Sequence, residues 1–396
     1  MNVLFVSHLY PTPHYERHLF VHDQARALRD LGVDVRVISP TPYAPRILWS
    51  SPRQRRRGQM PRRAVRDGVA AEYPRVLQLP RRILFDRSGD LAYAGLRRAA
   101  SLHAAGTDLV HAHQALPDGA VAQCLAADLG LPYVVTVHGA DVYRTLREGG
   151  RAAARVRGVL GSAAAVMTVG SSVARLLDGV VAAERLHVVH NGTSGLETEV
   201  APADDYLPGA PLVLTAGYLI ARKGHAYVLE AMARLAAAGR TVEWTVVGDG
   251  PLQVQLVRQA AERGLAGHVH LLGRLPHDRL LALMARAQLF ALPSWDEAFG
   301  LVYTEAMSVG TPVVACRDEG PQDYITDGVS GYLVPARDAG AIAEVIAGVL
   351  ADPEGARAVG EAGRRVAGEL TWQRNAERQL AIYEQVLAAA KRKDRR

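Results

Sequence analysis

The chain has 396 residues, a formal charge of +6 and two cysteines. At about 150 residues per domain this length implies two or three domains, each able to bury a full core, and it excludes a single small module. Apolar residues make up 49% and charged residues 22%, the balance of a globular protein and not of a disordered one. Cys124 lies in a helical pattern and Cys316 ends an apolar run, which excludes a disulfide framework and a cysteine zinc site and fits a reducing cytosol.

Met1 and Asn2 lead straight into an expected strand, Val3–Val6, with no basic n-region, long apolar h-region or small-residue cleavage site, so no export signal is expected. No window reaches 18 apolar residues, so no membrane span is expected. A helix near 17–31 and a strand at Val33–Ile38 follow. The segment 40–67 then reads as irregular, with five prolines around Arg53, Arg55, Arg56, Arg57, Arg62, Arg63 and Arg66. A loop this long in a compact domain is either functional or mobile, and the sequence leaves both readings open. Beyond it, strands are expected at Leu109–His111, Tyr133–Val137, Ala165–Val169 and His187–Val189, with helices near 90–104, 118–129, 151–161 and 171–178.

The stretch from Asn191 to Pro211 is polar and rich in Gly and Pro, and reads as an interdomain linker with the boundary near 200. The second half repeats the rhythm, with strands at Leu212–Ala216, Val242–Val247, Val269–Leu272, Leu289–Leu292, Pro312–Ala315 and Gly331–Val334. One more amphipathic helix at 371–390 is expected to pack back on the first domain. Short apolar runs alternating with helical periodicity are the signature of βαβ units and of parallel sheets buried on both faces. The expected fold class is α/β, with two Rossmann-like, doubly wound domains at 1–200 and 201–370 and a C-terminal helix with a basic tail at 371–396. Such domains place ligand loops at the carboxyl ends of their strands, and a cleft between the two is the expected site. The tail Lys391–Arg396 carries a net +4. Solvated arginine is preferred for both basic clusters over docking to an anionic surface; nucleic acid is not expected, since neither cluster interleaves aromatics.

The most informative stretch runs from Ser294 to Met307. It follows an apolar strand, passes Gly300 and enters a helix, so the amides of Phe299, Gly300 and Leu301 are expected to point out of a helix N-terminus, where phosphate binds. Glu297 precedes that helix and Glu305 lies inside it; one carboxylate can accept both hydroxyls of a ribose diol. Gly217 to Gly224 follows the first strand of the second half. Its adjacent Arg222 and Lys223 can neutralise a diphosphate leaving group, the first by a bidentate fork and the second as a point charge. Gly248-Asp249-Gly250 lacks the third glycine of a dinucleotide fingerprint, since Gln253 stands there, so a nicotinamide site is rejected and a tight turn preferred. In the first half, His138 ends a strand beside Gly139, a placement that suits catalysis as well as a structural role. His111 and His113 lack a third ligand at suitable spacing, so core roles are preferred to metal binding.

Glu297 to Glu305 is an E-x7-E motif. With Gly217 to Gly224, Gly248-Asp249-Gly250, Val188 to Gly192 and Thr136-Val137-His138-Gly139 it resembles the family-four retaining glycosyltransferases of GT-B fold, in the right order over nearly the whole chain. The resemblance implies that Glu305 holds the nucleotide ribose, Glu297 the donor sugar, and Lys223 the diphosphate. It further implies that Phe299, Gly300 and Leu301 present amides to the phosphate or sugar, that His138 lies near the reacting carbon, and that Gly273-Arg274-Leu275 contacts the base. Gly217 belongs to the donor-binding set by the same likeness. The family's arginine after this glycine is Tyr218 here, and Arg222 is expected to take over the diphosphate. The Gly-Gly of the family's first loop is absent from Pro13 to His18. Segments such as Tyr10-Pro11-Thr12-Pro13 and Tyr73-Pro74-Arg75 are similar to the branch assigned to teichuronic acid and related cell-surface polysaccharide synthesis.

The expected enzyme is cytoplasmic, works without a cofactor and is metal-independent, since no D-x-D pair occurs and Arg222 and Lys223 offer charge instead; peripheral contact with the inner membrane face is left open as the second reading of the basic clusters. This enzyme would move a hexose from a nucleotide-sugar donor to a hydroxyl acceptor such as a lipid-linked saccharide, with retention, by a front-face reaction in which a leaving-phosphate oxygen takes the acceptor proton. The rival readings are a nucleotide-sugar epimerase or hydrolase of the same fold, which would turn over donor without acceptor, and a non-catalytic binding subunit, against which Glu297 and Glu305 both speak.

Overall fold

The computed structural model describes residues 1–12, 19–43, 60–78, 82–103, 106–193 and 212–394. The Arg53–Arg57 cluster, the loop from Pro13 to His18 and most of the expected linker lie outside the described residues. The chain divides into two units, Met1–Asn191 with Trp372–Arg396, and Gly192–Thr371.

The first unit is built on an eight-stranded sheet in the order β10-β9-β8-β7-β1-β2-β5-β4. Its strands are β1 (Asn2–Val6), β2 (Asp34–Ile38), β4 (Arg63–Arg66), β5 (Val69–Glu72), β7 (Leu109–His113), β8 (Tyr133–Val137), β9 (Ala165–Thr168) and β10 (Leu186–Val188). All pairings are parallel except β4 with β5. Every residue of β7, β8 and β9 is buried, as expected of strands covered by helices on both faces. A short parallel pair, β3 (Thr41–Pro42) with β6 (Arg75–Val76), lies beside the sheet.

The second unit carries a six-stranded parallel sheet in the order β13-β12-β11-β14-β15-β16. These are β11 (Leu212–Ala216), β12 (Glu243–Val247), β13 (Val269–Gly273), β14 (Leu289–Ala291), β15 (Val313–Cys316) and β16 (Tyr332–Val334). Its core joins Val213, Trp244, Val246, Leu289 and Val314 to Leu229 and Met232 of a helix and Ile342 and Ile346 of another. Within it the indole N–H of Trp244 donates to Thr215 Oγ1 at 2.8 Å, and that hydroxyl donates to the Ala291 carbonyl at 2.6 Å. The chain of bonds ties β12, β11 and β14 and satisfies the indole of Trp244 and the hydroxyl of Thr215.

The final helix, Trp372–Asp394, belongs to the first unit. Tyr383, fully buried, places its hydroxyl 2.6 Å from His111 Nδ1 on β7, and the Asn375 side chain donates to the His190 carbonyl. Three local readings differ from the structure. The segment 40–67, expected to be irregular, contains β3 and β4. Strand β4 is Arg63-Ala64-Val65-Arg66 on a sheet edge, half exposed, so it needs no apolar run and shows none. A helix at Ala140–Glu148, not foreseen, follows Gly139 directly, and only Ser171–Arg175 of the helix expected at 171–178 is α-helical.

Candidate functional site

In each sheet the chain leaves a central strand in one direction and later returns to its other side. These reversals lie between β1 and β7 in the first unit and between β11 and β14 in the second. At such a point the loops beyond the strand carboxyl ends diverge and leave a crevice, the usual ligand site of open parallel sheets.

In the second unit, the loop after β11 brings Arg222 and Lys223, and the loop after β14 brings Ser294 to Gly300. Lys223 Nζ lies 2.5 Å from Glu297 Oε2, with the two side chains only 13% and 12% exposed. Ser294 Oγ donates to the same oxygen at 3.0 Å. Burial pushes the Glu297 carboxyl up, but Lys223, Arg222 and the Ser294 hydroxyl outweigh it and hold the group below the usual range, that is, charged. The Arg222 carbonyl accepts from the Trp295 amide at 2.9 Å, and its guanidinium donates to the Asp296 carbonyl at 3.4 Å. The two adjacent cations thus both reach the segment that carries Glu297.

The helix of this segment is Leu301–Ser308, so Gly300 is its N-cap, and Phe299 stands outside it. The expectation that all three amides belong to the helix start is corrected by one residue, because Gly300 has φ +80, a left-handed turn that ends the preceding loop. A side chain there would also meet the Tyr303 ring at 2.4 Å. The Leu301 and Val302 amides open the helix at the positive end of its dipole, while the Tyr303 amide already donates to the Gly300 carbonyl at 3.0 Å. Phe299 is buried against Tyr324, whose hydroxyl donates to the Phe299 carbonyl at 2.7 Å.

Sequence reasoning missed the support beneath this loop. Glu319, after β15, accepts the Asp296 and Glu297 amides at 2.9 Å each, and the Gly320 amide donates to the Glu297 carbonyl at 2.8 Å. A Cβ on Gly320 would lie 2.1 Å from the Ala298 carbonyl oxygen. Glu319-Gly320, in the loop a few residues past the carboxyl end of an expected strand, was the available signal.

Gly217 sits against the turn at Gly248. The Leu219 amide donates to the Asp249 carbonyl at 2.8 Å, and a Cβ on Gly248 would fall 2.0 Å from Gly217 O. These glycines therefore serve a close approach of two backbones as well as a turn. Arg274, with Leu275 following it, leaves β13 and forms an ion pair with Asp249 at 2.7 Å. Glu305 lies inside the helix; burial pushes its carboxyl above the usual range and His277, at the head of the preceding helix Leu-rich face His277–Arg286, opposes this.

In the first unit His138 is hydrogen bonded to His113 at 3.2 Å. His111 bonds Tyr383 through Nδ1 and Thr136 through Nε2, the core role preferred from the sequence. Burial drives the His111 imidazole down to about 3 and His113 well below its ordinary value, neighbouring imidazoles adding to the effect. Both stay neutral in the native state while the unfolded chain protonates near 6.5, so their contribution to stability is present above pH 6.5 and lost as the pH falls toward the folded values. Between pH 5.5 and 4.5, where the unfolded imidazole is almost fully protonated and the folded one is not, His111→Gln is expected to flatten the stability slope by about 1.4 kcal/mol per pH unit relative to the native chain, one proton's worth. Urea unfolding at stepped pH checks it, and an unchanged slope refutes it.

Three further groups here were not singled out from the sequence. Asp141, in the helix after Gly139, accepts the Ala115 amide at 2.7 Å, and burial raises its carboxyl to about 6. His8, after β1, and Asp118, after β7, form an ion pair at 2.9 Å.

Two family models match the chain in tandem: Glycosyl transferase 4-like domain over residues 18–192 and Glycosyl transferases group 1 over residues 205–366. The chain is 30% identical to the MMP alpha-(1->4)-mannosyltransferase of Mycolicibacterium hassiacum over 94% of both chains. It is 26% identical to the putative teichuronic acid biosynthesis glycosyltransferase TuaC of Bacillus subtilis, over 87% of this chain and 88% of that one. Among solved structures it is similar to Anabaena HepE in complex with UDP and glucose, with a TM-score of 0.71 and 20% identity over 99% of both chains. With its two parallel-sheet, Rossmann-like units the chain has the GT-B fold, and it belongs to the group 1, family-four type of glycosyltransferases.

Proposed function

We propose that the chain moves a hexosyl group from a nucleoside-diphosphate sugar to a hydroxyl acceptor, with retention of configuration and without a divalent metal, in polysaccharide or glycoconjugate synthesis. The observation that carries this reading is the Lys223–Glu297 pair at the second unit's strand reversal, beside the N-terminus of the helix Leu301–Ser308. A diphosphate there would meet Lys223, Arg222 and the helix amides, while Glu297, already charged, would accept sugar hydroxyls. Electrostatic stabilisation of the departing diphosphate is the largest contribution such a site can make. Arg222 takes the part of the cation missing at Tyr218, and Glu305 binds the ribose diol. The likeness to HepE, which holds UDP and glucose, supports the donor class, and the likeness to TuaC supports a cell-surface saccharide as product. The acceptor side belongs to the first unit, with His138 near the reacting carbon. A lipid-linked acceptor at the cytoplasmic membrane face suits the exposed cations Lys391 and Arg392 at the end of the last helix.

UDP, GDP and ADP are expected to raise the melting temperature in the presence of a chelator, and one of them to do so most. Stabilisation that disappears in chelator and returns with magnesium or manganese would overturn the metal-independent part. Glu305→Ala is expected to weaken the preferred nucleotide by roughly 1.5 to 3 kcal/mol, about 10- to 100-fold, by loss of a charged hydrogen bond. Calorimetric affinity equal to that of the native chain would remove the ribose role. The anomeric signal of the product, read by NMR, decides retention.

A further inference from the structure

The loop that carries Glu297 is held from behind. Asp296 stands in the left-handed region at φ 53, a conformation that strains a residue with a Cβ and persists only where surrounding contacts fix it. Glu319 supplies two of those contacts. Its Oε1 accepts the Asp296 amide and its Oε2 the Glu297 amide, each at 2.9 Å, so the two carboxylate oxygens grip successive amides of one turn by charge-assisted bonds. The Gly320 amide returns a bond to the Glu297 carbonyl at 2.8 Å, and the Arg222 guanidinium reaches the Asp296 carbonyl at 3.4 Å. The residue before Glu319 is fixed in turn: Asp318, left-handed at φ 64, donates its amide to Gln322 Oε1 at 2.7 Å. Burial pushes the Glu319 carboxyl up against the pull of the two amides, and the charges of Asp296 and Glu297 push the same way. A folded-state value above the unfolded one means that the ionised group lowers stability, so stability alone does not account for an acid here.

We propose that Glu319 is a positioning residue of the donor site, whose carboxylate clamps the turn at Asp296 and Glu297 and so fixes where the Glu297 side chain stands. The proposal lies wholly within the second unit and rests on the reading that Glu297 accepts hydroxyls of the donor sugar. A hydroxyl bonds a carboxylate only within about 2.5 to 3.0 Å, so the place of that carboxylate matters. Lys223 and Ser294 hold its Oε2, but they do not fix the backbone from which the side chain springs. Glu319 fixes that backbone. It touches neither Lys223 nor the amides of Leu301 and Val302, the groups that would meet the diphosphate, so its loss should be felt by the sugar and not by the nucleotide. A Gln at 319 has one acceptor oxygen and turns an NH2 toward the other amide, which makes one of the two bonds a contact between donors.

The test is calorimetry on the full chain with UDP, GDP, UDP-glucose and GDP-mannose. For the nucleotide bound best and its sugar donor, Glu319→Gln is expected to weaken the sugar donor at least tenfold and the nucleotide less than threefold. Adding Asp296→Gly relieves the left-handed strain, since glycine adopts that region freely. The double variant should bring the sugar donor back to within threefold of native, a rescue that a structural role elsewhere would not give. Glu297→Gln is the control for the reading beneath, and should weaken the sugar donor at least tenfold. Loss in Glu297→Gln with native affinity in Glu319→Gln overturns the positioning role alone. Equal loss of nucleotide and sugar donor in Glu319→Gln, with no rescue, overturns it as well. A native chain that binds neither sugar donor, or whose affinity Glu297→Gln leaves unchanged, counts against the reading of the donor site, and the proposal falls with it. Should thermal unfolding show that Glu319→Gln does not fold, the double variant decides: near-native sugar-donor affinity supports the clamp, and its absence overturns it.

Discussion

Lys223→Ala is expected to cost roughly 3 to 5 kcal/mol of stability together with at least 100-fold in transfer rate. The ammonium lies 2.5 Å from a Glu297 oxygen, and neither side chain is more than 13% exposed. Removing it leaves a buried carboxylate with the Ser294 hydroxyl and the more distant Arg222 as its remaining support, and an uncompensated charge away from water is the costly case. The diphosphate would lose its nearest full positive charge at the same time. The two effects separate in the double variant Lys223→Ala with Glu297→Gln, which removes the stranded charge. There most of the lost stability should return and the activity should not. Urea unfolding and nucleotide release measure the two quantities. A single variant within 1 kcal/mol of native stability would show that the ion pair is solvated and that its geometry carries little energy.

Gly320→Ala is expected to lower nucleotide affinity at least tenfold and stability by about 1 to 3 kcal/mol, the usual range for overpacking. The added Cβ would stand 2.1 Å from the Ala298 carbonyl oxygen and 2.7 Å from the Phe299 nitrogen. Both are backbone atoms of the loop that leads into the helix at Leu301, so no rotamer change relieves the clash and the loop itself must shift. A shift also stretches the Gly320 amide bond to the Glu297 carbonyl. Gly267→Ala is the matched control, since a Cβ there has nothing within 4 Å; it should change stability by less than about 0.5 kcal/mol. Calorimetry with UDP or GDP and thermal unfolding read the difference, and full affinity in Gly320→Ala would mean that this loop does not position the nucleotide.

The amino-acid sequence by itself determined the layers of this protein. Runs such as Leu212–Ala216 and Tyr133–Val137 are strands over the residues expected, because a strand buried on both faces must be apolar at every position and the pattern is visible locally. The E-x7-E spacing located the helix at Leu301–Ser308 for the same reason, since a strand, a glycine turn and a helix succeed one another within a few residues. The edge strand Arg63–Arg66 escaped, because an edge exposed on one side is under no pressure to be apolar. What only the tertiary structure decided is which loops meet. Lys223 and Glu297 are 74 positions apart and His8 and Asp118 are 110 apart. Each pair joins loops that are neighbours only because β11 lies beside β14 and β1 beside β7. Local periodicity reports burial and period but not strand order, since every order of the same parallel strands buries the same residues. Gly320 and Gly248 stand in the same position. A glycine in a loop reads as a turn, and only the backbone passing 2.0 to 2.1 Å from where a side chain would begin shows why no other residue fits.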